Sequence, residues 1–94
     1  MRFRNQGTQD IYNGESTTAA RRTLPQELHE KAGRLLDRLS AAGAPTDLRM
    51  PRGNRLEKLT GDREGEWSVR INDQFRICFE WTSEAVNVEI TDYH

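Results

Sequence analysis

The chain has 94 residues, 34% apolar and 31% charged, which suits one domain spanning residues 1–94 with a modest core and excludes a disordered polar tract. A formal net charge of −1 argues against a strong nucleic-acid binder on bulk charge alone. The single cysteine, Cys78, leaves no intrachain disulfide and argues against thiolate metal binding, and no apolar run is long enough for a secretory or membrane segment, so a cytoplasmic protein is expected.

In chain order, residues 1–5 form a short candidate strand and Thr8 to Asn13 a short helix closed by Gly14. The polar run ESTTAARRT reads as loop. From Pro25 to Ala42, Leu28, Ala32, Leu35, Leu36 and Leu39 fall at helical spacing. Thr23 and Gln26 have the spacing of a capping box, and Gly43 is placed to stop the helix. GAPTDLRMPRGN, with two prolines and two glycines, connects this helix to the second half of the chain.

After Asn54 the period changes from 3.6 to 2. Arg55 to Thr60 is a strand and GDREG a turn. Trp67, Val69 and Ile71 alternate with polar residues, as do Phe75, Ile77, Phe79 and Trp81, with Asn72 and Asp73 suited to the tight turn between these runs. TSEA turns the chain into a last strand, where Val86, Val88 and Ile90 share one parity. The fold class is therefore α+β: a small antiparallel β-meander with one short and one long helix on one face, both tryptophans facing that core.

The other face carries Ser68, Arg70, Arg76 and Glu80. A mid-strand arginine there is commonly solvated or paired across strands. Two features make Arg76 a candidate phosphate ligand as well. The segment 49–63 holds five cations (Arg49, Arg52, Arg55, Lys58, Arg63) against Glu57 and Asp62, a local balance of +3, and twelve of the fourteen cations in the chain are arginine. The final strand runs into Asp92, Tyr93 and His94, an acid, a phenol and an imidazole. Together these are the groups that metal-free phosphoryl transfer in RNA requires: a base for the 2′-hydroxyl, a cation for the developing charge and an acid for the leaving oxygen. A straight strand would put Asp92 and His94 on the apolar parity and Tyr93 on the side of Arg76, so the chain is expected to leave strand geometry after Ile90 or Thr91 and bring His94 toward Arg76. A carboxylate at His94 itself favours its imidazolium form.

NRLEKLTGDREGEWSVRINDQFRICFEW, the terminal VEITDYH, the helix start TLPQELHEKAGRLLDRL and the opening FRNQGTQDIYNGE closely resemble the HigB branch of the RelE/ParE superfamily of bacterial toxins. The resemblance covers nearly the whole chain. It implies a RelE-like sheet flanked by helices, messenger RNA cleavage in the ribosomal A site without metal or cofactor, and neutralisation by a HigA-like helix-turn-helix antitoxin. Operator DNA would be met only through that antitoxin, and no membrane is involved. Residue by residue, it assigns proton transfer to Asp92 and His94, a stacking or orienting role to Tyr93 and charge stabilisation to Arg76, with acid and base left unassigned between the proton-transfer groups. Arg49, Arg52, Arg55, Lys58 and Arg63 would grip RNA by counterion release. Relatives often read Leu-His-Pro-Leu-Lys-Gly where this chain has Leu56, Glu57, Lys58, Leu59, Thr60 and Gly61. Glu57 thus replaces a family histidine, and its carboxylate can act as a base but cannot mimic an imidazolium. Two alternatives remain: a catalytically weakened, antitoxin-binding co-repressor, and a ParE-like gyrase inhibitor, against which the terminal Asp-Tyr-His speaks.

Overall fold

The structure, a computed structural model, describes residues 1–92. Helices α1 (Gln6–Tyr12), α2 (Thr18–Thr23) and α3 (His29–Ala41) precede strands β1 (Glu57–Lys58), β2 (Glu66–Arg70), β3 (Phe75–Trp81) and β4 (Ala85–Asp92). The strands pair antiparallel in chain order, which is the expected meander. Its apolar face, including Val69, Ile77, Phe79, Val88 and Ile90, packs on Ile11, Ala20, Leu24, Leu36 and Leu39 from the helices. Fully burying one such side chain contributes about 1.5–3 kcal/mol.

The expected loop at ESTTAARRT contains α2. Thr17 caps it, its hydroxyl accepting from the Ala20 amide at 3.1 Å, and Ala20 is fully buried. Six residues are too few to form a helix on propensity alone, so packing on α1 stabilises it. The contact is close because Gly7 lies against Ala19 and Thr23. Asn5 caps α1 by accepting from the Thr8 amide, and Gly14 ends that helix at a φ of 74°, as expected.

The expected capping box at Thr23 and Gln26 does not form. Thr23 belongs to α2 and donates its hydroxyl to the Ala19 carbonyl, while the chain enters α3 through a 3-10 turn at Gln26–Leu28. Gly43 adopts no left-handed turn. The chain extends at Ala42, and the Asp47 carboxylate accepts from the Gly43 and Ala44 amides. The connection from α3 to the sheet is coiled into 3-10 turns at Pro45–Arg49 and Arg52–Asn54.

Three expectations about the sheet are corrected. The strand at Arg55 to Thr60 shrinks to Glu57–Lys58, because Arg55 takes a left-handed conformation with φ 44°. The parity of β4 slips: Asn87, at φ 51°, inserts a bulge, so Ala85 rather than Val86 joins the core with Val88 and Ile90. Beyond that bulge β4 stays regular, with Thr91 opposite Arg76 and Asp92 opposite Phe75, so the chain does not leave strand geometry after Ile90 or Thr91 as far as Asp92. Both tryptophans, expected in the core, sit at its margin and are only partly buried.

The candidate strand at residues 1–5 is an extended segment with a single parallel bridge, Phe3 to Val88. The Arg2 amide donates to the Ala85 carbonyl, Arg4 to Val88, and the Val88 amide back to Arg2. The Thr8 hydroxyl accepts from the Ile90 amide at 3.0 Å. This segment covers the outer edge of β4. Part of the polar face of the sheet is also covered. Ser68, Glu66, Cys78 and Arg76 are buried there, with Arg63 lying across Glu66 at 3.0 Å and Glu89 at 3.1 Å. Among the described residues no helix is long and apolar enough to cross a membrane.

Candidate active site

Arg76 stands in the middle of the polar face, and three neutral acceptors fix its guanidinium. Nε donates to Ser68 Oγ at 2.7 Å, and Nη2 donates to the Arg55 carbonyl at 2.6 Å and to the Ser68 carbonyl at 3.4 Å. The left-handed turn at Arg55 serves this contact: it ends the 3-10 turn Arg52–Asn54 and accompanies a carbonyl placed above the sheet. Asn54 steadies the same corner by donating to the Leu48 and Met50 carbonyls. These bonds fix the direction in which the planar guanidinium faces.

Glu57 comes from β1, with Oε2 3.8 Å from Arg76 Nη2 and its side chain about half exposed. Arg70 lies directly across from Arg76 in the β2–β3 register and therefore on the same face. Its guanidinium is paired with Asp73, which is almost fully exposed. Two adjacent cations repel each other, and the facing acids moderate that repulsion without closing the site. Arg55, Glu57, Arg70, Asn72, Asp73 and Arg76 enclose an open polar cleft of about 230 Å³. Asn72 shapes its rim by accepting from the Gln74 and Phe75 amides.

The structure therefore brings together Arg55, Glu57 and Arg76. It adds Arg70, which the sequence places on the right face but whose nearness to Arg76 depends on strand register. It also adds Ser68, the anchor of Arg76. Asp92 is elsewhere: opposite Phe75, its side chain leaves the sheet on the other side from Arg76, and its Oδ2 accepts from Gln74 Nε2 at 2.8 Å. Tyr93 and His94 lie outside the described residues.

Of the basic residues, Arg49, Arg52, Arg55 and Lys58 are exposed, and Lys58 Nζ sits 5.5 Å above the Trp67 ring. Arg63 is engaged in its two ion pairs. Burial pushes the Cys78 thiol up to about 11, so it stays protonated and is no nucleophile. Among the described residues no group of three or more His, Cys, Asp or Glu side chains is placed to hold a metal ion.

Comparison with known proteins agrees with this architecture. A family described as RelE-like toxin of type II toxin-antitoxin system HigB matches residues 1–94. Toxin HigB-1 of Vibrio cholerae serotype O1 is 35% identical over 94 residues, covering 100% of this chain and 96% of that protein. Endoribonuclease HigB of Proteus vulgaris is 34% identical over 64 residues, covering 65% of this chain and 70% of that protein. With its α+β meander and its match along the whole length, the chain belongs to the HigB-like family of RelE-like toxins of type II toxin-antitoxin systems.

Proposed function

We propose that this toxin is an endoribonuclease that cuts messenger RNA in the ribosomal A site without metal, and that a HigA-like helix-turn-helix antitoxin restrains it. The observation that carries the reading is the Arg76 guanidinium, fixed by Ser68 and Arg55 in an open cleft beside Arg70 and Glu57. The cleft suits a phosphodiester. Arg76 and Arg70 hold the non-bridging oxygens, and Glu57 stands where a base can take the 2′-hydroxyl proton. Attack of that oxygen forms a P–O2′ bond and breaks P–O5′, and the 5′-oxygen leaves with a proton from an acid, giving a 2′,3′-cyclic phosphate and a 5′-hydroxyl. His94 is our candidate acid, with Tyr93 orienting the base of the nucleotide. The relative from Proteus vulgaris, itself called an endoribonuclease, supports the reaction class.

The test uses purified 70S ribosomes programmed with messenger RNA, with and without a chelator, and identifies both new ends. Chelator-resistant cleavage with those ends is expected. Arg76→Lys should retain most binding and lose most turnover, because an ammonium cannot keep the bonds to Ser68 and the Arg55 carbonyl and hold the phosphate in a fixed direction at the same time. Absence of cleavage by the unaltered chain, with antitoxin binding intact, would instead favour the co-repressor role. Glu57, standing where relatives often carry histidine, is what gives that second reading weight.

A further inference from the structure

A second concavity, of about 160 Å³, lies between α3 and the 3-10 turns after it, lined by Lys31, Arg34, Leu35, Arg38, Pro51 and Asn54. Its three cations come from one element. Spacings of three and four residues put Lys31, Arg34 and Arg38 in a row on one face of α3, beside the apolar stripe that includes Leu35. The far wall is the 3-10 turn Arg52–Asn54, and the two concavities share this ridge: Asn54 lines the α3 groove and Arg55, the next residue, lines the Arg76 cleft. Exposed Arg49, Arg52 and Arg55 continue the positive charge across the ridge. Met50, the large apolar residue most exposed among those described, at 68%, stands between Arg49 and Pro51.

We propose that the α3 groove is a second RNA-binding track, in which Lys31, Arg34 and Arg38 hold the phosphodiester backbone of the strand that continues from the Arg76 cleft, with the Met50 thioether against a base or ribose as it crosses the ridge. This extends the endoribonuclease reading. Charge decides the occupant. Six cations, Lys31, Arg34, Arg38, Arg49, Arg52 and Arg55, mark one path, and the acids beside it do not cancel them. Glu30 pairs with Arg34 at 2.9 Å with both side chains well exposed, a contact that water screens and a phosphate can replace. The Asp47 carboxylate is turned to the Gly43 and Ala44 amides, and Asp37 lies outside the groove lining.

The experiment compares the unaltered chain with a Lys31→Ala, Arg34→Ala, Arg38→Ala variant, and with an Arg21→Ala, Arg22→Ala control on α2 that removes charge outside the groove. The probes are 70S ribosomes and a labelled single-stranded RNA, titrated at several salt concentrations. The triple variant should bind about tenfold more weakly, and the slope of log K against log salt should fall by about 2, the release expected for three phosphate contacts to a single strand. Its melting temperature should match that of the unaltered chain. An unchanged slope, an equal loss in the control, or a loss of antitoxin binding with RNA binding intact would overturn the proposal. The two readings fail separately. An unaltered chain that binds RNA through the groove but cuts none refutes the nuclease reading alone, whereas active cleavage with a groove variant that binds normally refutes the groove.

Discussion

Ser68 shows how one small side chain can determine what a large one does. It is fully buried, and its hydroxyl receives the Arg76 Nε proton. Replacing it with alanine leaves a buried donor without its partner, a loss of about 1–3 kcal/mol. Ser68→Ala should therefore lower the melting temperature and, because Arg76 is no longer aimed, lower the single-turnover cleavage rate while leaving RNA affinity to the exposed cations. A rate equal to that of the unaltered chain would mean that Ser68 does not position Arg76. At this scale the sequence was partly legible. Arg76 and Glu57 stand out by residue type and by family resemblance, but their 3.8 Å approach depends on a left-handed turn at Arg55 that no residue there advertises, arginine being a poor candidate for positive φ.

Among the elements, the short helices depend on one another more than on their own composition. A Cβ at Gly7 would lie 1.8 Å from the Thr23 hydroxyl and 2.6 Å from the Ala19 carbonyl, so Gly7→Ala must push α2 away from α1. The expected loss is about 1–3 kcal/mol, read as an earlier denaturant midpoint, and an unchanged midpoint would show that the two helices have room to spare. The same pair is joined by Asp10, which accepts from the Thr17 hydroxyl and the Gln6 amide, both at 2.6 Å; these bonds, Thr17 first, hold its carboxyl below the ordinary 3.8. A depressed folded-state value means that Asp10 stabilises the fold above pH 3.8 and loses that contribution as pH falls toward the folded value. Asp10→Asn should consequently melt earlier than the unaltered chain at neutral pH, with the two curves converging in acid; a constant gap would rule out the ionised carboxylate as the cause. Strand periodicity in β2 and β3 was legible because no irregularity interrupts it. In β4 the bulge at Asn87 shifts the parity by one, and a two-residue β1 is too short to leave a period at all.

At the scale of the whole molecule, charge is sorted by face. The helices cover the apolar side, and on the other side Arg63, Glu66, Glu89 and Arg4 form linked ion pairs above the buried Cys78, so that part of the face is covered without a second helical layer and the Arg76 cleft beside it stays open. No period in the sequence announces this cover, because it comes from side chains of a turn and of the first residues rather than from an element with its own pattern. An overall charge of −1 conceals the basic path over α3 and its ridge, which is visible only once helix and connection are side by side. The bridge from Phe3 to Val88 bears on how the protein is born. At roughly 5–20 residues per second of translation, the partner strand is made on the order of ten seconds after the segment it must receive. For that interval the first residues have no place to dock, the outer hydrogen bonds of β4 do not yet exist, and a newly emerging toxin is open to proteases or to capture by another chain, so its maturation waits on the making of its last strand.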